Sequence, residues 1–281
     1  MSAAQRSAAL RAHRGPVLLA LPTIVFLLVL FAIPVARLML LSVETGTLEP
    51  YEKALTDPLY LKVLLDTGKI ALIVTVLCFM LGYPVAYFLT VAPRAWQVVG
   101  LFCLLMPFWT SILVRTYAWM VLLGRRGVVS ETLLSLGIID APMTFLHSLP
   151  AVLVGMVHVL LPYLVFPVYA VMQRIDPNLM QAAHGLGAPG WRAFWRVYFP
   201  LTMPGVLSGA SLVFILSMGF FITPVLLGGG RVMMIAVLIE QQVREFLNWE
   251  FAGALSATLL VFTLCVYAAF RRLMGADRQL V

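Results

Sequence analysis

Away from the stretch ends, the ionisable side chains of the apolar stretches are Arg37, Arg115 and His158, with no carboxylate among them. Charge in hydrocarbon is costly, so such residues mark functional positions by default. Arg115 is the most informative, because it sits in WTSILVRTYAW beside Trp109, Thr110, Ser111, Thr116 and Tyr117. A guanidinium there can bond backbone carbonyls freed by a broken helix, or present a fixed cation to a solute. Arg37 lies near the end of its stretch and can snorkel to the interface. Trp109, Tyr117, Trp119, Phe220 and Phe221 add π faces, which attract cations. Gly219 and Pro224 interrupt SMGFFITPVLLGGG (217–230), and broken backbone in a span is tolerated beside a cavity. Trp109, Arg115, Tyr117, Phe220 and Phe221 are therefore the expected solute-path residues, with a gate near 217–230.

Catalytic chemistry finds no support. His13, His147, His158 and His184 are scattered, and no HExxH motif or Cys/His cluster occurs, so neither a metal site nor a catalytic residue is expected. Cys78, Cys103 and Cys265 lie in apolar runs without CxxC spacing and read as small hydrophobes. No GxxxxGK[ST] is present, and Gly228-Gly229-Gly230 lacks the following Lys-Ser/Thr of a phosphate cradle, so it reads as a turn. No cofactor is expected, and the chain has no means of hydrolysing ATP by itself.

The elements that position these residues follow from composition. Hydrophobic residues make up 62% of 281, charged residues 11%, and the mean hydropathy is +0.99. Soluble domains carry about 25% charged residues, so the chain reads as an all-α polytopic membrane protein. Its net charge of +7 then records topology rather than nucleic-acid binding. A span needs roughly 20 apolar residues. Six stretches qualify, near 17–43, 67–91, 97–123, 148–172, 202–227 and 251–270. The first is too long for a signal peptide and reads as an uncleaved span. This divides the chain into a tail at 1–16, a first transmembrane helix at 17–43, a five-helix core at 67–270 and a tail at 271–281. The core contains a loop at 173–205.

One side collects Arg6, Arg11, Arg14, Arg94, Arg174, Arg192, Arg196, Arg271, Arg272 and Arg278, against Asp176 and Asp277 alone. The other receives Lys53, Lys62, Lys69, Arg125, Arg126, Arg231 and Arg244 with most of the acids, including Glu131, Glu240, Glu245 and Glu250. By the positive-inside rule both termini and the 173–205 loop are cytoplasmic.

That loop reads QAAHGLGAPGWRAFWRVYFPLTMPG from 181 to 205. Asp176-Pro177 is a helix start. Gly185 and Gly187 end the helix and allow a sharp turn. Pro189 opens a second helix, in which Trp191, Phe194, Trp195 and Tyr198 fall at i, i+3, i+4 and i+7, one aromatic face. Pro200 and Pro204-Gly205 are expected to interrupt the backbone before the fifth span. On periodicity alone this is an interfacial amphipathic helix or a docking element for a soluble partner.

The spacing resembles the EAA loop of bacterial ABC importer permeases: Glu-Ala-Ala, three residues, Gly, nine residues, Ile-x-Leu-Pro. Gln181-Ala182-Ala183, Gly187, Val197, Phe199 and Pro200 occupy those positions, with Gln181 replacing the acid. DPLYLKVLLDTGKIALIVTVLCFMLGYPVAYFL (57–89), MPFWTSILVRTYAWMVLLGRRG (106–127) and FPLTMPGVLSG (199–209) resemble the spermidine/putrescine permease subfamily. The resemblance implies the ABC importer permease fold in a bacterial inner membrane. It implies a second, non-identical permease, separate ATP-binding cassette ATPase subunits and a periplasmic solute-binding protein. It assigns Gln181, Ala182, Ala183, Gly187, Ala188, Phe194, Val197 and Pro200 to coupling with the ATPase. The expected solute is a polyamine, although the spans offer a cation only positive charge and aromatic faces.

The same machinery with an amino acid, phosphonate or oxyanion as cargo is the alternative. An ion-coupled secondary transporter would carry intramembrane carboxylates and an internal repeat, and neither appears in the sequence. A membrane-embedded enzyme lacks its catalytic constellation, and a simple anchor leaves the EAA spacing to coincidence.

Overall fold

The computed structural model describes residues 21–43 and 47–275. The tail expected at 1–16, the first residues of the 17–43 stretch and 276–281 lie outside the described residues. So do the sidedness residues Arg6, Arg11, Arg14, Asp277 and Arg278.

The chain is helical throughout, with no strand among the described residues. Helix α1 is Leu21–Leu41. A short α2 (Glu49–Thr56) leads into α3 (Pro58–Val91). Then come α4 (Arg94–Trp109), α5 (Ile112–Leu123), α6 (Val128–Ser135) and α7 (Leu149–Met172). Helix α8 (Pro177–Gly185) is followed by α9 (Gly190–Met218). The chain ends with α10 (Ile222–Gly228), α11 (Ile235–Arg244) and α12 (Trp249–Gly275). Among the described residues five helices are long and apolar enough to cross a membrane, or six with the bent pair beginning at Arg94 counted as one span.

Three departures from the sequence reading have physical causes. Helix α3 begins well before 67, at an Asp57 cap whose carboxylate accepts the Leu59 N–H at 2.8 Å. Lys62, Asp66 and Lys69 depress the local hydropathy without breaking the helix, and Lys69 pairs with Asp66 at 3.0 Å one turn away. The 34 residues of α3 span about 51 Å at 1.5 Å per residue. The helix therefore outruns a hydrocarbon core of about 30 Å.

The third stretch is bent by 102° between Trp109 and Ile112. Thr110 and Ser111 are extended there, and their side chains close the two helix ends. Thr110 Oγ1 donates to the Pro107 carbonyl at 3.1 Å, and Ser111 Oγ accepts from the Leu113 N–H at 3.3 Å.

Third, Pro200 and Pro204 do not interrupt the chain. Helix α9 runs through both, because a π turn at Phe194–Tyr198 absorbs the first. The Phe199 N–H reaches the Phe194 carbonyl five residues back. A proline ring clashes with the carbonyl four residues earlier, and a widened turn moves that carbonyl aside. The same device precedes Pro34, where Leu28–Ala32 is a π turn.

The core is built from α3, α7 and α9, around Val74, Cys78, Met156, Leu160, Leu164 and Val213. Gly205 and Gly209 form the close seam. A β-carbon at Gly205 would lie 2.8 Å from the Pro167 carbonyl oxygen, and one at Gly209 2.9 Å from that of Leu164. Small residues four apart let helix backbones approach within van der Waals contact, the main packing force where lipid removes any hydrophobic gain. A second cluster joins α2, α3, α11 and α12 through Ala54, Tyr60, Val63, Ile235, Leu238 and Phe251. It lies at the end of α3 away from α8.

Candidate functional site: a closed hairpin and two broken helices

Helix α8 is capped at both ends by its own sequence. Asp176 Oδ1 accepts the Asn178 N–H at 2.9 Å, and Pro177 occupies the first turn, where no donor is needed. At the other end the Ala188 N–H bonds the Ala183 carbonyl at 3.1 Å and the Gly187 N–H bonds that of His184 at 2.9 Å. Gly187 takes φ 82° to permit this. These two bonds with a left-handed glycine form a Schellman closure, which satisfies carbonyls that would otherwise face water unpaired. His184 Nδ1 adds a third bond to the Ala188 carbonyl at 3.1 Å. The motif glycine is thus the only residue type that fits this turn without strain.

The hairpin has two faces. Gln181, Ala182, Gly187 and Pro200 are exposed, while Ala183, Ala188, Phe194 and Val197 are half-buried. Leu186, absent from the residues picked out by the motif, is 90% exposed at the apex. With Leu179 and Ala182 it continues an apolar stripe at helical spacing. The expected single aromatic face does not exist, because the π turn divides it. Trp191 and Trp195 remain exposed, whereas Phe194 and Tyr198 turn toward α3. Phe194 meets Tyr87 edge-on at 5.7 Å and Tyr83 at 6.4 Å, and stacks on Tyr198 at 5.7 Å. Tyr83 Oη is 3.2 Å from Thr202 Oγ1, a hydrogen bond that joins α3 to α9 below the hairpin. Tyr83 and Tyr87, four apart on one face of α3, form this partner surface, which the sequence analysis did not single out.

At the opposite end of the bundle lie the two breaks. Helix α5 carries Arg115 toward α7, where its Nε is buried without a hydrogen bond among the described residues. His158 and Tyr163 lie within its electrostatic reach. Trp119 Nε1–H donates to His158 Nδ1 at 3.0 Å, which places the imidazole proton on Nε2. Thr116 Oγ1 and Thr223 Oγ1, 3.4 Å apart, link α5 to α10. Phe220 and Phe221 form the α9–α10 break and are half-buried against the core. Trp109 and Tyr117 point the other way, 72% and 54% exposed. The structure therefore gathers Arg115 with Thr116, Trp119 and His158, and leaves Trp109 and Tyr117 on the outer surface of the chain.

A groove of about 1010 Å³ opens between α7, α9 and α12, lined in part by Ser208, Ser211, Leu212, Ile215, Tyr267 and Arg271. None of the expected path residues lines it.

Relatives place this architecture. The chain is 39% identical over 237 residues to the spermidine/putrescine transport system permease protein PotB of Escherichia coli (strain K12), covering 83% of this chain and 86% of that one. PotB of Haemophilus influenzae is 35% identical over 226 residues, 80% of this chain and 79% of the other. A putative 2-aminoethylphosphonate transport system permease protein of Salmonella typhimurium is 25% identical over 230 residues, 80% of this chain and 79% of its own. Among solved structures, a bacterial ABC transporter that imports the acidic polysaccharide alginate superposes with a TM-score of 0.72. It covers 97% of this chain and 99% of that one at 15% identity, which speaks to fold alone. The family of binding-protein-dependent transport system inner membrane components matches residues 16–274. With hairpin, broken helices and match in agreement, the chain belongs to that family of inner-membrane permease components.

Proposed function

We propose that the chain carries a polyamine of the spermidine/putrescine class inward, as one of two non-identical membrane subunits driven by a separate ATP-binding cassette ATPase. A periplasmic binding protein delivers the solute. The chain itself performs no catalysis. Both termini and the α8–α9 hairpin face the cytoplasm, in keeping with the arginine distribution.

The observation that carries the coupling reading is the hairpin's division of labour. Its outer face offers Gln181, Ala182 and Leu186 on a turn closed by Gly187, small enough to enter a cleft. Its inner face ties Phe194 and Tyr198 to Tyr83 and Tyr87. Nucleotide-driven movement of an ATPase is thereby delivered to α3 and α9 together, a rigid-body switch between inward- and outward-open forms. The polyamine assignment rests on the PotB relatives, and Arg115 sets its character. A fixed cation beside the path opposes tight binding of a polycation, so selectivity belongs to the binding protein and the membrane path holds its cargo weakly.

The test is uptake by proteoliposomes holding the assembled transporter and its binding protein. ATP-dependent accumulation of radiolabelled spermidine or putrescine, uncompeted by 2-aminoethylphosphonate, is the expected result. Accumulation of an anionic solute alone would overturn the cargo, and accumulation driven by an ion gradient without ATP would overturn the coupling.

A further inference from the structure

Helices α5 and α10 share an origin and an end. Each begins just after a break in a longer apolar helix, α5 at Thr110–Ser111 and α10 at Gly219–Phe221. Both breaks lie toward the end of the bundle away from the hairpin. Helix α9 runs away from the hairpin, and α3 reaches the hairpin side at Tyr83 and Tyr87, so α4 also runs away from it. The two half-helices pack together at Thr116 and Thr223. The space a side chain would enter at Gly219 is open, so the second break is not wedged by its neighbours.

Their C-terminal carbonyls are capped by one short stretch of loop. The Phe145 N–H bonds the Leu123 carbonyl at 3.0 Å, and the His147 N–H bonds that of Leu227 at 2.8 Å. Helix ends ordinarily find such partners locally. Here one loop, lying 22 residues after Leu123 and 80 before Leu227, serves both, and its geometry is specific. His147 holds φ 56°, a left-handed conformation seldom used outside glycine, and Gly229 facing it holds φ 52°. The imidazole lies against the bare face of Gly229, where a β-carbon would collide with Cδ2. An unusual backbone conformation held by its surroundings is the kind of feature that clusters at moving parts.

We propose that residues 145–147 tie α5 and α10 into one gate at the far face of the permease, hinged at the two breaks. His147 and Gly229 are the positioning residues that keep the tie made. The gate carries Arg115 and Tyr117 as it swings. The inference rests on the transporter reading above, but not on the identity of the cargo.

The experiment uses the assembled transporter in nanodiscs, with Cys78, Cys103 and Cys265 replaced by Ser and Tyr117→Cys as reporter. Labelling by a membrane-impermeant maleimide is compared between nucleotide-free and vanadate-trapped states. A moving gate changes the rate at least fivefold between the two, and equal rates overturn the proposal. Gly229→Asn, a residue that tolerates φ 52°, drives the imidazole off its seat, breaks the His147–Leu227 bond and removes most of that difference. Adding His147→Gly restores it, because glycine keeps φ 56° without a ring. A double variant no better than Gly229→Asn overturns the positioning role. Should Gly229→Asn fail to assemble, a disulfide between Leu123→Cys and Phe145→Cys decides instead: the state-dependent labelling survives if the tied elements move as one body, and its loss overturns the idea. All arms are read without solute, so a failed polyamine assay leaves them intact.

Discussion

Phe194 meets Tyr87 nearly at a right angle, 85° between ring planes with centroids 5.7 Å apart. This edge-on contact is where the α8–α9 hairpin touches a span that does not belong to it. Aromatic pairs of this geometry are worth about 1 kcal/mol beyond their buried area. Tyr83 and Tyr198 complete the cluster. Phe194→Leu should therefore leave membrane insertion and ATPase binding intact while uptake falls. We expect a loss of roughly fivefold, the factor that accompanies about 1 kcal/mol. Co-purification of the ATPase alongside uptake checks it, and loss of both together would relocate Phe194 to the docking face.

Gly187→Asp should weaken association with the ATPase and abolish most uptake, with insertion unchanged. The position is open, so the defect is conformational: a left-handed φ of 82° costs a side-chain-bearing residue about 1–2 kcal/mol. Gly187→Asn, which tolerates that region better, should retain more activity than Gly187→Asp. Affinity capture of the ATPase on the purified variants checks the order.

Leu186→Asp should match Gly187→Asp in the capture assay without changing the turn. A leucine 90% exposed at the hairpin apex gains nothing from solvent, and a charge there opposes entry into any apolar socket. Undiminished capture would remove Leu186 from the interface.

Gly209→Leu should destabilise the bundle. The added side chain has to displace the α7 backbone at Leu164, and overpacking costs about 1–3 kcal/mol. Thermal unfolding of the detergent-solubilised chain reads this as a lowered midpoint, whereas Ser208→Leu, on the groove side, should be tolerated.

The hairpin was legible in the sequence because its determinants are local. Asp176-Pro177 caps one end and Gly187 the other, within a dozen residues of each other. The start of α3 was not, since Lys62, Asp66 and Lys69 look like a boundary to a hydropathy window although charge alone does not end a helix. Pro200 misled in the opposite direction: a π turn before it is a backbone adjustment with no residue signature of its own. The bend at Thr110–Ser111 carries neither glycine nor a proline at the break, and its cause is side-chain capping visible only in three dimensions. Tyr83 and Tyr87 stand about a hundred residues from Phe194, beyond the reach of any local pattern. A separation of 82 residues hides the meeting of His147 with Gly229 in the same way.

On this reading the α8–α9 hairpin receives the motion of a separate ATPase and hands it to the spans. A cysteine at Ala182 in the assembled, actively importing transporter, treated with a short thiol-to-amine crosslinker, tests it most directly. One dominant adduct is expected, permease joined to ATPase, with a yield that changes with nucleotide state. Adducts confined to lipid or to the second membrane subunit would contradict it.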